Sequence, residues 1–296
     1  LCRDQLKQDF CILQQQLLLP LKKQGLIQSE KVEGKRNYNA KLTLTESGMT
    51  IENGKLIIDD PTGHGIESNA KVELKSGAQL VIDKANYGIR MNGSGEFVSQ
   101  TDSSVEITGS SYPVVAHGNS GITIGKLIAT GTANSNIYVD TTGTVTIANA
   151  TVTGGKQGVE MLKGTLNLSN SSFDKPAKIV ANGKEKVLNL SGLIKGSILF
   201  NEAIPANVTG ALTDGSDVTV DWAAGKAPAD GIAINFAAGT MEASKKYIKL
   251  GSVQSATYLL HFTTEGGAEV GKLVDNIVKT EVLTFFKIES DRVRMR

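Results

Sequence analysis

The sequence predicts an all-β fold, a right-handed parallel β-helix (β-solenoid), and three observations carry that prediction. The apolar anchors Ile66, Ile89, Val114, Ile137 and Val159 are separated by 23, 25, 23 and 22 residues, so one coil takes about 22–25 residues, and a fixed spacing of this size is the signature of stacked repeats. Each unit carries three short runs of alternating apolar and polar residues, the number of strands in one turn of a three-sided solenoid. The composition agrees: Gly is 32 of 296 residues, Pro only 6 and aromatic residues 5%, which suits many short strands joined by tight polar turns.

Residues 1–30 stand apart. Leu6, Phe10, Leu13 and Leu17 recur at helical spacing and are followed by Pro20 and Gly25, which predicts one amphipathic helix. Its expected role is to cap the open first coil; a coiled-coil or partner-binding role is the alternative, on an apolar pattern of only about two heptads. Cys2 and Cys11 are the only cysteines; on a helix they stand about 13 Å apart along the axis, beyond the roughly 7 Å that a disulfide spans. They are expected to be free thiols.

Residues 31–220 are expected to form the β-helix. The first strand of each coil holds the anchors. The second set comprises Val72–Leu74, Glu96–Val98, Ile122–Ile124, Val145–Ile147 and Leu166–Leu168, and the third Leu80–Ile82, Val105–Ile107, Leu127–Ala129, Thr151–Thr153 and Ser172–Phe173. Leu42–Leu44 with Leu56–Ile58 is expected to supply an earlier coil, because Leu44 precedes Ile66 by 22 residues. Residues 221–296 are expected to form irregular β-rich coils or a cap, with a short helix at residues 271–279 before a final strand, Leu283–Ile288.

The segments Gly143-Thr-Val-Thr-Ile-Ala-Asn-Ala-Thr-Val-Thr-Gly154 and Gly164-Thr-Leu-Asn-Leu-Ser-Asn-Ser-Ser-Phe173 resemble the degenerate repeats of pectin-lyase-like right-handed β-helices, especially bacterial autotransporter passengers and related adhesins. The resemblance covers roughly residues 42–220. It implies an extracellular protein or one displayed on a bacterial cell surface.

A formal charge of +1 from 31 basic and 30 acidic residues gives no global field to concentrate nucleic acid. The longest apolar run, Leu17–Leu21 with Pro20 inside it, falls far short of the roughly 18–20 residues of a membrane span, so no transmembrane segment is expected. Asp59-Asp60-Pro61-Thr62-Gly63-His64-Gly65 places an Asp pair and a Gly-His-Gly in one turn. Polygalacturonase-like enzymes draw these groups from successive coils, so the segment is expected to be a glycine-rich turn with a polar histidine. No zinc spacing, Walker loop, Rossmann fingerprint or nucleophile elbow is present. Neither a metal nor a cofactor is expected, and no catalytic residue is assigned. The single tryptophan, Trp222, is expected in a core or cap in preference to a sugar-stacking platform.

Alternation along the first strands gives two outward columns, Glu67, Arg90, Val115, Tyr138, Glu160 and then Asn69, Asn92, His117, Asp140, Leu162. From them Arg90, His117, Tyr138, Asp140 and Glu160 are the candidate ligand-binding residues. His117 beside Asp140 is the one arrangement to test as an acid/base couple; Arg90 with Glu67 is expected to be a surface ion pair and Asn69 with Asn92 a turn ladder. The acids are too scattered for the paired carboxylates of a glycosidase. The functional expectation is a non-enzymatic structural rod or adhesin with a glycan or host-surface protein as partner. A polysaccharide-binding or polysaccharide-degrading β-helix and a phage tailspike segment are the alternatives.

Overall fold

The computed structural model describes residues 36–38, 41–45, 48–52, 54–59, 63–180, 182–201, 207–226, 232–236, 247–251, 260–263, 269–274 and 277–279. It is an all-β parallel solenoid of about seven turns, without a helix among the described residues. The predicted helix in residues 1–30, both cysteines and the strand at Leu283–Ile288 lie outside them.

Three faces build each coil. The first comprises His64–Ser68, Tyr87–Met91, Tyr112–Gly118, the opening halves of Ser135–Ala148 and Gln157–Ser169, and Ala177–Ile179. Along it Ile66, Ile89, Val114, Ile137 and Val159 pair in parallel register and are all buried, as the period predicts. On the third face Ile58, Ile82, Ile107, Ala129, Val152 and Phe173 form a matching inward column. Inward residues meet their equivalents on the next coil at the strand spacing of about 4.8 Å, so each coil's apolar surface is covered by its neighbours.

The coil changes shape after residue 194. Lys195–Phe200 pairs with the third face through Ser172↔Lys195 and with the first through Ala177↔Ile198, so one strand runs through the former corner. This accounts for the scattered spacing of the sequence there. Parallel stacking nevertheless continues to Ile248–Leu250 and Leu260–Thr263.

At both ends of the described stack part of the edge is covered by reversed strands. Lys41–Thr45 is antiparallel to Gly48–Glu52 and Arg36–Tyr38 to Lys55–Asp59. Leu42–Leu44 is therefore no coil of the solenoid, contrary to its spacing, but an antiparallel neighbour of Gly48–Glu52. At the other end Glu269–Val274 runs antiparallel to Leu260–Thr263, and Ile277–Lys279 antiparallel to Glu269–Val274. Two strands thus stand where the 271–279 helix was expected. Reversed strands occupy the hydrogen-bonding edge that a parallel coil leaves open.

Candidate functional site

The outward side of the first face concentrates most of the molecule's described aromatic and charged contacts. His64, Tyr87 and Tyr112 open three successive strands and are in register. Parallel pairing sets equivalent side chains one strand spacing apart, close to the stacking distance of rings. His64 stacks on Tyr87 at 4.9 Å with planes 9° apart, and Tyr87 on Tyr112 at 5.1 Å and 7°. Tyr138, on the following coil, meets Tyr112 edge-on at 6.0 Å and 82°. His64 is thus a strand residue at the foot of an aromatic stack, whereas the sequence suggested a turn. Asp59 lies on the third face, opposite Asp83.

The adjoining column reads Glu67, Arg90, Val115, Tyr138, Glu160 and Lys178. Arg90 lies over the Tyr87 ring, 5.0 Å from its centre. Its Nη1 donates to His64 Nε2 at 3.3 Å and stands 3.6 Å from Glu67 Oε1. Glu67 is buried, so this is a recessed ion pair and not the surface pair expected. Asn92 Nδ2 donates to Glu67 Oε1 at 2.7 Å, in place of the expected Asn ladder. Burial holds the His64 imidazole below its ordinary range, with Glu67 opposing and Arg90 reinforcing the shift. A neutral His64 that accepts from Arg90 at Nε2 carries its proton on Nδ1, which faces Glu67 Oε2 at 3.6 Å.

The next outward column brings His117 and Asp140 into register, Nε2 to Oδ2 at 3.3 Å. The register shifts after Val139, so Lys163, and not Leu162, stands opposite Asp140, with Nζ 3.7 Å from Oδ1. Glu160 is tied off: Ser135 Oγ donates to its Oε2 at 2.7 Å and Lys178 Nζ to its Oε1 at 3.3 Å.

Val115 is the short member of its column, between Arg90 and Tyr138, and it forms the floor of a groove of about 200 Å³ lined by Tyr87, Arg90, Tyr112, Val115, His117 and Tyr138. Three of the five sequence-selected residues, Arg90, His117 and Tyr138, line it. Asp140 lies behind His117, and Glu160 is one coil further on. Burial raises both phenols, Tyr112 with help from Tyr87 and Glu160, and Tyr138 with help from Asp140 and Glu160; they remain hydroxyl donors across neutral pH. Tyr87 and Tyr112 escaped the sequence reading because they sit two residues before their anchors. Their own separation of 25 residues, equal to that of Ile89 and Val114, is the signal that finds them.

The Arg90 and His117 side chains stand forward and the carboxylates behind. The His117 and Arg90 side chains are 53% and 32% exposed, against 16% for Asp140 and 10% for Glu67. Among the described residues no group of three or more His, Cys, Asp or Glu is placed to hold a metal, and no helix is long and apolar enough to cross a membrane. Trp222 is buried against Phe200, rings 5.6 Å apart, and takes no part in the groove. Compared with family models, curated proteins and solved structures, the chain finds no match in any of the three.

Proposed function

We propose that this protein is a non-catalytic β-solenoid module that binds a glycan in the groove over Val115, acting outside the cell or on a bacterial cell surface. The observation that carries the reading is the convergence of Tyr87, Tyr112, Tyr138, Arg90 and His117 on a single notch. Aromatic edges and faces beside fixed hydrogen-bond donors suit a sugar, which has apolar C–H patches and a rim of hydroxyl oxygens. A volume of about 200 Å³ is below that of the usual small-molecule pockets and fits a short stretch of chain.

The non-catalytic part rests on the acids. A glycosidase holds two carboxyl groups roughly 5–10 Å apart on either side of the scissile bond. Here Asp140 is engaged by His117 and Lys163, Glu160 by Ser135 and Lys178, and Glu67 lies beneath Arg90. The test is a glycan array probed with the purified chain beside Tyr138→Ala. Binding by the parent that the variant loses, at an unchanged melting temperature, is the expected result. An array with no binding, or one on which the variant performs equally, overturns the proposal.

A further inference from the structure

We infer that the sugar recognised in this groove is anionic, bearing a carboxylate or sulfate that docks on Arg90 beside His117; the inference rests on the glycan-binding reading and specifies its ligand. Four observations lead there. First, the groove turns its cation outward and its carboxylates inward: Arg90 lines it with Tyr87, Tyr112 and Tyr138, beside the exposed His117, while Glu67 and Asp140 are recessed. A ligand entering the groove therefore meets the Arg90 N–H groups and the phenol hydroxyls ahead of any carboxylate, which favours a ligand rich in acceptors.

Second, Arg90 is preorganised. The Tyr87 ring lies under its guanidinium and Nη1 is directed at His64 and Glu67, which fixes the plane of the fork. The His64 and Glu67 contacts both use Nη1, so the other N–H groups of this groove-lining guanidinium are left to a ligand in a fixed plane, the arrangement that matches a carboxylate or sulfate. Third, Glu67 does not saturate that charge. It stands 3.6 Å from Nη1, beyond hydrogen-bond length, and its Oε1 already accepts from Asn92.

Fourth, room for the anion exists only because position 115 carries valine. Arg90 and Tyr138 flank it from the coils on either side, about 9–10 Å apart at the backbone by two strand spacings, and any long side chain at 115 fills the gap. The whole chain carries a formal charge of only +1, so binding by diffuse attraction of polyanions is not the basis of this selection. The recognition is local and predicts a shallow salt dependence.

The experiment is calorimetric titration with three matched oligosaccharides: a neutral parent, its uronate form and its sulfated form. An acidic form is expected to bind at least about tenfold tighter than the parent, the size of one charge-assisted hydrogen bond; which acidic form wins identifies the anion. Arg90→Gln should bring acidic and neutral ligands to equal affinity, and Arg90→Lys, with charge but no fork, should restore only part of the difference. Val115→Tyr leaves the His64–Glu67–Arg90 cluster in place and should abolish binding of all three at an unchanged melting temperature. Equal affinity for acidic and neutral sugars, or acid selectivity that survives Arg90→Gln, overturns the inference and leaves the glycan reading standing. Failure of every sugar to bind sinks that reading itself.

Discussion

Replacing Ile89 by alanine tests whether the solenoid is held together coil by coil. Ile89 is fully buried between Ile66 and Val114 in the anchor column. The substitution removes three methyl or methylene groups, worth about 0.8 kcal/mol each, or roughly 2.4 kcal/mol in transfer alone. The cavity left in a stack with little freedom to collapse raises the expected loss to about 3–4 kcal/mol, inside the range of about 2–5 seen for such truncations. If stability is a sum over neighbouring coils, that loss weakens the N-terminal coils first. Urea unfolding followed by two probes distinguishes the cases: far-UV circular dichroism averages over all strands, whereas the fluorescence of Trp222, the only tryptophan, reports the C-terminal coils in which it is buried. The circular dichroism midpoint should fall by roughly 1–2 M, taking a slope of about 2–3 kcal/mol per M, and the fluorescence midpoint by distinctly less. Two midpoints that fall together by the same amount refute the neighbour-by-neighbour account and make the stack one cooperative unit.

A β-carbon at Gly88 falls 2.5 Å from the Pro113 carbonyl oxygen and 2.6 Å from Ile107 Cγ2; Gly88→Ala should therefore destabilise by about 1–3 kcal/mol, read as a lowered midpoint in the same titration. Because His64 titrates below its ordinary value of 6.5 when folded, the unfolded chain binds the proton more readily; its contribution is complete above about pH 6.5 and is lost as pH falls through the folded pKa. His64→Phe, which keeps the stack on Tyr87, should flatten the decline in urea midpoint between neutral and mildly acidic pH; an unchanged decline assigns it to other groups. Asn189 Nδ2 donates to Asn167 Oδ1 at 2.6 Å, and Asn167 Nδ2 to Thr146 Oγ1 at 3.0 Å, along the second face. Asn189→Ala should cost about 1 kcal/mol, measured by chemical denaturation. Incubation with pectin, polygalacturonate or alginate, with or without calcium, should release no reducing ends or unsaturated products; turnover that vanishes in His117→Ala or Asp140→Asn overturns the non-catalytic proposal.

The repeat was legible because burial imposes a requirement on every coil at the same place. Ile66, Ile89, Val114, Ile137 and Val159 each fill an inward position between neighbours, and a polar residue there has no partner. Direction was not legible: Leu42–Leu44 alternates as a parallel strand does, and period two is common to both senses of pairing. The site was half legible for a related reason. Arg90, Tyr138 and His117 follow from alternation out of the anchors, but the corner glycines and proline at Gly65, Gly88 and Pro113 interrupt the alternation before His64, Tyr87 and Tyr112. The bulge after Val139 likewise exchanges Leu162 for Lys163 opposite Asp140, a displacement set by backbone geometry that apolar patterning does not encode.

The reversed strands at both ends of the described stack separate two quantities that are usually bound together, how long the rod is and where its site lies. Between those brackets each coil meets only its neighbours, so duplicating one unit among the later coils lengthens the body by one strand spacing, about 4.8 Å, without altering the distance from the groove to the N-terminal bracket. The same duplication placed before His64 shifts the groove outward by that step and leaves its lining unchanged. The molecule is in this sense a ruler with a movable mark, in which reach is adjusted by whole coils and recognition by the few side chains around Val115.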